Sequence, residues 1–194
     1  MGGEDWKDWM TALNEAGVLA ENTVTVAYSY IGPKLTYPMY HKGTLGAAKA
    51  HLLKTAQEMT KEFSNVNAYV SVNKALVTQA SAAIPVVPLY IALLYRIMEK
   101  KQIHENAIEQ IARMYQEKLF VDTPVLDQTG QIRMDDWELR EDVQSEIEAF
   151  WEKLYAHEIP DCSYIVEDGV GFDLPNIDYS KDVNPNVAIP SIKD

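Results

Sequence analysis

Two stretches of this chain read as β-strand, 23–30 and 67–72, and they stand on either side of a long amphipathic helix. A lone strand pair is marginal in water. These two therefore belong most naturally to a parallel sheet whose other strands lie elsewhere. The intervening segment carries Leu45, Ala48, Leu52, Ala56, Met59 and Phe63 at the i, i+3, i+4, i+7 spacing of a buried helical face and predicts a helix over 44–63. Similar patterning predicts a short helix over 5–16 and further helices over 86–101, 104–120 and 138–155, with a polar, hairpin-like connection over 122–135. Beyond Glu158 the chain is rich in loops and holds Pro160, Pro175, Pro185 and Pro190. The expected class is α/β, mostly helical with a few parallel strands.

At 194 residues and 47% hydrophobic content the chain can bury one sizeable core. The formal net charge of −12 argues against a nucleic-acid surface, which needs a basic face. The nearly uncharged run 80–95 is sixteen residues long and contains Pro85 and Pro88, short of the roughly 20 apolar residues that span a bilayer. It reads as a loop leading into a buried helix with one proline in the first turn. The first twenty residues carry Glu4, Asp5, Lys7 and Asp8 in place of a basic region and an apolar run, so no secretory leader is expected. One cysteine, Cys162, excludes an internal disulfide framework and suits a reducing compartment, here the cytoplasm. His41, His51, His104 and His157 are scattered without metal-site spacing, so no metal is implied.

The chemistry concentrates in Tyr40-His41-Lys42-Gly43-Thr44-Leu45-Gly46-Ala47-Ala48-Lys49, because a tyrosine and a lysine at this spacing can serve as proton donor and ammonium of a reductase. On one regular helix the two side chains would be rotated about 900° apart and face opposite ways. Gly43 and Gly46 loosen the stretch, so Tyr40 can lie in an irregular lead-in while Lys49 occupies the second turn of the helix that follows. Lys49 falls within roughly 50° of the apolar stripe's centre, whereas Lys54 and Lys61 point away from it. An ammonium at a core margin loses hydration and its pKa falls. The alternative is a lysine that buries its stem and keeps its head in water.

The run from Thr23-Val24-Thr25-Val26-Ala27-Tyr28-Ser29-Tyr30-Ile31-Gly32 through Lys49 resembles the signature of FabV-type trans-2-enoyl reductases. So do Met1-Gly2-Gly3-Glu4-Asp5-Trp6, the run 71–81 with Ile84-Pro85 and Pro88-Leu89-Tyr90, and His104-Glu105-Asn106. Residues 133–142, Gly171-Phe172-Asp173 and Asp178-Tyr179-Ser180 extend the resemblance over almost the whole chain. The family's members are single-chain, NADH-dependent enzymes acting on enoyl-CoA or enoyl-acyl-carrier-protein in fatty acid synthesis. They are about twice this length, and their first half is a nucleotide-binding domain of Rossmann type. No Gly-x-Gly-x-x-Gly follows a strand here. The resemblance therefore implies the carboxyl-terminal portion of a Rossmann-type, short-chain-dehydrogenase-like reductase. On this reading residues 1–194 form a single substrate-binding and catalytic portion, with the amino-terminal half as its missing partner.

By the same resemblance, Tyr40 is the proton donor and Lys49 binds the nicotinamide ribose of NADH while lowering the Tyr40 pKa. Tyr30 is the substrate-contacting tyrosine, a second phenol beside the thioester oxygen, with a core aromatic as its alternative. Tyr28 shares its strand face and would support it from below. Ala75, Leu76 and Val77 present backbone groups to the nicotinamide amide, and Thr78 follows toward the phosphates. The apolar helix after them lines an acyl-chain pocket, with Met98 and Met114 as core or pocket wall. A second function class stays open, a non-catalytic acidic helical interaction module derived from such an enzyme.

Overall fold

Seven residues of β1 (Thr23–Ser29) pair in parallel with seven of β2 (Val66–Val72), Thr23 opposite Val66 and Ser29 opposite Val72. The computed structural model describes residues 2–76 and 87–155. Parallel neighbours need a crossover, and α3 (Gly43–Glu62) supplies it. A third strand corrects the expectation of two: β3 (Ile132–Arg133) pairs in parallel with the far side of β2, Ser71 opposite Ile132, giving the order β1-β2-β3. It lies inside the segment expected to be a polar connection. Two residues are too few to leave an alternating pattern in a sequence.

Both faces of this sheet are covered, as parallel strands require. On one face Val66, Ala68 and Val70 pack with Ala56, Met59 and Phe63 of the apolar stripe and with Met10 of α1 (Glu4–Glu15). Trp6 of α1 donates its indole N–H to Thr25 Oγ1 at 3.0 Å on the same side. On the other face Val24, Val26 and Tyr69 lie against Met114, Leu119, Ile132 and Met134. The split follows the period of two along each strand. The stripe is buried along its later turns, where the helix meets β2, while Leu45 at its start is 38% exposed.

The helix expected over 104–120 begins later and changes pitch. α5 (Ala107–Arg113) starts at a capping box: the Asn106 side chain accepts from the Glu109 amide at 2.9 Å and the Glu109 carboxylate accepts from the Asn106 amide at 2.9 Å. A π-helical segment, Met114–Leu119, follows it. The wider turn brings residues five apart onto one face, and Met114 and Leu119 are both buried.

The chain divides into two compact units, the first comprising Met1–Ala75 and Glu105–Gln144, the second Leu76–His104 and the chain from Ser145. In the second, α4 (Val87–Lys100) buries Tyr90, Ile91, Leu94, Ile97 and Met98, and Pro88 sits in its first turn as expected. α6 (Glu141–Tyr155) contributes Ile147 to the interior and Glu146, which pairs with Lys101 at 2.7 Å. Among the described residues no helix is long and apolar enough to cross a membrane.

Buried charge in the first unit gathers around Arg113, whose side chain is 7% exposed. Its guanidinium donates to both Glu105 oxygens at 2.8 and 2.6 Å, to Asp136 at 3.2 and 3.0 Å, and to the Met134 carbonyl at 3.1 Å. It also lies 4.1 Å from the Trp137 ring centroid. Five donors in a fixed fork thus tie the start of α5 to the segment leaving β3. Removing the guanidinium by Arg113→Met leaves Glu105 buried without its cation. We expect the variant to lose about 3–5 kcal/mol of unfolding free energy in urea titrations, and a loss below ~1 kcal/mol would show that the network is dispensable.

Candidate active site

The parallel strands release their chains at one edge of the sheet. β1 is followed there by Tyr30, β2 by Asn73, Lys74 and Ala75, and β3 by the turn that carries Glu138. Tyr40 and Lys49 reach the same place from the crossover. Tyr40 is the last residue of a short helix, α2 (Tyr37–Tyr40), and Lys49 sits in the second turn of α3. Between them the chain folds back tightly, with the amides of His41 and Lys42 both donating to the Tyr37 carbonyl at 3.0 Å. A Cβ at position 46 would run into the His41 carbonyl, so glycine there is what allows α2 to close onto α3.

The expected convergence of the two side chains is found. Lys49 Nζ lies 4.6 Å from the centroid of the Tyr40 ring and 5.6 Å from that of Tyr30. The two rings meet edge to face, 5.0 Å apart at 84°. Lys49 Nζ donates to the backbone carbonyl of Tyr30. Lys49 is therefore held by the protein and is not a head extended into water.

Burial dominates the electrostatics. It pushes the Lys49 ammonium down to about 8, in the direction expected for a lysine at a core margin. It also pushes the Tyr40 phenol up, which corrects the expectation that the neighbouring cation lowers it. The ammonium faces the Tyr40 ring and bonds the Tyr30 carbonyl, so desolvation of the phenolate prevails.

Tyr30 is the hub of the cluster. Its carbonyl holds Lys49, its ring borders Tyr40, and its phenol donates to Glu138 Oε1 at 3.0 Å. Gly32, at φ +76°, lies so close beneath it that an added Cβ would meet the phenol oxygen at 2.6 Å. Tyr28 does not support Tyr30 from below: it is 50% exposed and hydrogen-bonds Tyr115. Ala75 is buried and gives its amide to Glu138 Oε2 at 2.7 Å, while the preceding amide, of Lys74, donates to Gln110 Oε1 at 3.1 Å. Leu76 is partly buried and opens the second unit. Val77 and Thr78 lie outside the described residues.

Glu138 was not singled out by the sequence reading. It sits in the acidic run Asp135-Asp136-Trp137-Glu138, before α6, where no periodicity says which carboxylate turns inward. The side chain is fully buried. Met98 and Met114 are both buried as well, the latter within the core on the β3 side of the sheet. Among the described residues no group of histidine, cysteine, aspartate and glutamate has the arrangement of a metal site.

A parallel sheet with a phenol, an ammonium and a buried carboxylate gathered at the carboxyl ends of its strands has the layout of open-sheet α/β proteins, which bind ligands at that edge. The chain belongs to the trans-2-enoyl-CoA reductase family: residues 1–120 match the family model described as the trans-2-enoyl-CoA reductase catalytic region. Residues 126–183 match a second model, described as the enoyl reductase FAD binding domain. The chain is 51% identical over 99% of its length to an enoyl-[acyl-carrier-protein] reductase [NADH] from Cytophaga hutchinsonii, covering 51% of that protein. It is 47% identical over 98% of its length to the trans-2-enoyl-CoA reductase of Euglena gracilis, covering 37% of it. The crystal structure of Treponema denticola trans-2-enoyl-CoA reductase in complex with NAD superposes with a TM-score of 0.78 at 47% identity, over 94% of this chain and 48% of that one. The chain thus spans about half the length of the curated relatives it matches.

The flavin named by the second model finds no fit in what the structure describes of that segment, 126–155. A flavin diphosphate seeks amides at a helix N-terminus behind a glycine turn. Here the first turn of α6 carries Glu141 and Asp142, and Gly130 lies in a turn ahead of a strand.

The position of Lys49 carries a stability signature. Its pKa is near 8 when folded and near the ordinary lysine value when unfolded, so the folded state binds fewer protons between those limits and gains stability as pH rises through them. Lys49→Met lacks this gain. The melting temperature of the variant minus that of the parent should fall steadily from pH 8 to about pH 10.5. A difference that stays flat across this range would mean that the ammonium is solvated.

Proposed function

We propose that these residues are the catalytic and substrate-binding half of an NADH-dependent reductase acting on the trans-2 double bond of an enoyl thioester, on coenzyme A or acyl-carrier protein, in fatty acid synthesis. The observation that carries the reading is the Tyr40–Lys49–Tyr30 cluster at the strand ends of a chain whose relatives bear those names. NADH, when bound, supplies the hydride that adds to the β-carbon. Charge then develops on the thioester oxygen, and Tyr40 gives its proton to the resulting enolate. The raised pKa of Tyr40 keeps the phenol protonated at neutral pH, the form in which an acid must start. We assign Lys49 to the ribose hydroxyls of the cofactor; its ammonium lies over the Tyr40 ring, so its charge does not lower the phenol pKa.

Tyr30 borders the substrate beside Tyr40. We assign the nicotinamide end to Ala75, Leu76, Val77 and Thr78, which follow β2 in the sequence; the Ala75 amide is given to Glu138 and its carbonyl accepts from Lys74 Nζ at 3.5 Å. The single cysteine suits a cytoplasmic enzyme. Among the described residues β1 is one of the sheet's two edge strands, and none of its seven residues is buried. A row of backbone groups left open in this way is a site for strand addition. We assign that place to the nucleotide-binding half that completes the relatives.

Two measurements test the reading. Alone, the chain should show neither reduction of crotonyl-CoA nor micromolar binding of NADH by fluorescence, because its sequence holds no Gly-x-Gly-x-x-Gly for the pyrophosphate. Tight binding by the isolated chain would refute the division of labour between the halves. Substituted for the matching segment of the Cytophaga hutchinsonii relative, the chain should restore NADH-dependent turnover. In that chimera Tyr40→Phe should lower kcat by about 10² to 10⁴ with the KM for NADH little changed. Near-normal turnover would remove Tyr40 from the role of acid, and a chimera that folds but never turns over would favour a non-catalytic interaction module.

A further inference from the structure

Glu138 is completely buried, and the structure engages both oxygens of its carboxylate. Oε1 accepts from the Tyr30 phenol at 3.0 Å and Oε2 from the Ala75 amide at 2.7 Å. Both partners are donors. A carboxylate accepts from both as they stand, whereas a glutamine that kept the Ala75 amide would give its NH₂ to the Tyr30 oxygen and force the phenol proton to turn elsewhere. Burying a carboxylate is costly, so a position that demands one needs a reason beyond filling space.

The backbone beneath Glu138 is fixed from several directions. The Val72 carbonyl accepts the amides of Met134 and Asp135 at 2.8 and 3.1 Å. The Arg113 fork holds Met134 and Asp136. Gln144 Nε2 donates to the Glu138 carbonyl at 2.7 Å, and the Leu139 amide donates to the Asp135 carbonyl at 2.9 Å. The side chain therefore extends from a braced turn into the gap between the exits of β1 and β2. It bonds directly to both Tyr30 and Ala75.

We infer that Glu138 is a positioning residue of the reductase site. By holding the Tyr30 phenol and the Ala75 amide on one carboxylate, it sets the distance between the phenol and ammonium cluster, where the enoyl double bond is reduced, and the strand exit, where the nicotinamide lies. The inference rests on the reading of Tyr40 and Lys49 given above. It also redefines Tyr30. A phenol has one proton, and this one is directed at Glu138, so protonation of the enolate falls to Tyr40 while Tyr30 carries Lys49 on its carbonyl and walls the ring of Tyr40.

The test uses the chimera, with kcat and the KM for NADH measured for Glu138→Gln, Tyr30→Phe, the double variant and Tyr40→Phe. Glu138→Gln should lower kcat by about 10- to 100-fold, the scale of a small misplacement of reacting groups, and should raise the KM for NADH through Ala75. Tyr30→Phe should lower kcat without the effect on KM. The double variant should be no worse in kcat than the weaker single one, because the two changes break the same link. A merely structural role would lower the melting temperature without this division between kcat and KM. If Glu138→Gln turns over within twofold of the parent, or if the two losses multiply, the inference fails while a crippled Tyr40→Phe leaves the reading of the site intact. Near-normal turnover by Tyr40→Phe overturns both. Should Glu138→Gln not fold, Glu138→Asp is read in its place, since the shorter arm keeps the charge and reaches only one partner.

Discussion

The carbonyl of Val72, the last residue of β2, is the joint on which the rest of the site depends. It accepts the amides of Met134 and Asp135, while the next amide along β2, that of Asn73, donates to the Ser29 carbonyl at the end of β1 at 2.8 Å. These three bonds hold the exits of all three strands within a few ångströms of one another. Parallel pairing makes this possible, because only then do successive strands end at the same edge. Residues separated by more than a hundred positions, Tyr30 and Glu138, meet for that reason.

Around this joint the protein accepts a good deal of buried charge. Asp135 and Glu138 have no exposure at all, and Glu105 and Arg113 have very little. Each charge is answered locally: Asp135 by the Arg133 fork at 2.8 and 2.6 Å, Glu105 by Arg113, and Glu138 by a phenol and an amide. Burial pushes the Asp135 carboxyl up even so, against the pull of Arg133. Apolar side chains of the same volume would commonly be as stable or more so. What the ionic network supplies instead is direction: a guanidinium fork accepts its partners in few geometries, and it thereby fixes the turn from which Glu138 projects.

Much of the first unit is legible in the sequence. The apolar stripe ending at Phe63, the β-forming runs ending at Tyr30 and Val72, and the glycines between Tyr40 and Lys49 each carry a local signal, in periodicity or in backbone freedom, and each element appeared close to where it was expected. The chance that Tyr40 and Lys49 converge across a break in the helix was also a local argument, and the ammonium does come to lie over the Tyr40 ring. Other features left no such trace. β3 is two residues long, and the π-helical segment at Met114–Leu119 differs from an α-helix only in which residues are buried. The direction of the Tyr40 shift turned on whether the ammonium faced the ring or the oxygen, a matter of a few ångströms.

What the sequence by itself determined is local: which stretches bury a face, where the chain turns, and which residue types are available for chemistry, because periodicity and backbone preference act between neighbours. The tertiary structure alone decided which of the five acidic residues in 135–142 turns inward to the site, and what Tyr30 does with its proton. Those answers depend on a carboxylate being carried across the sheet by strand pairing. No pattern within the run around Glu138 encodes a partner 108 residues away.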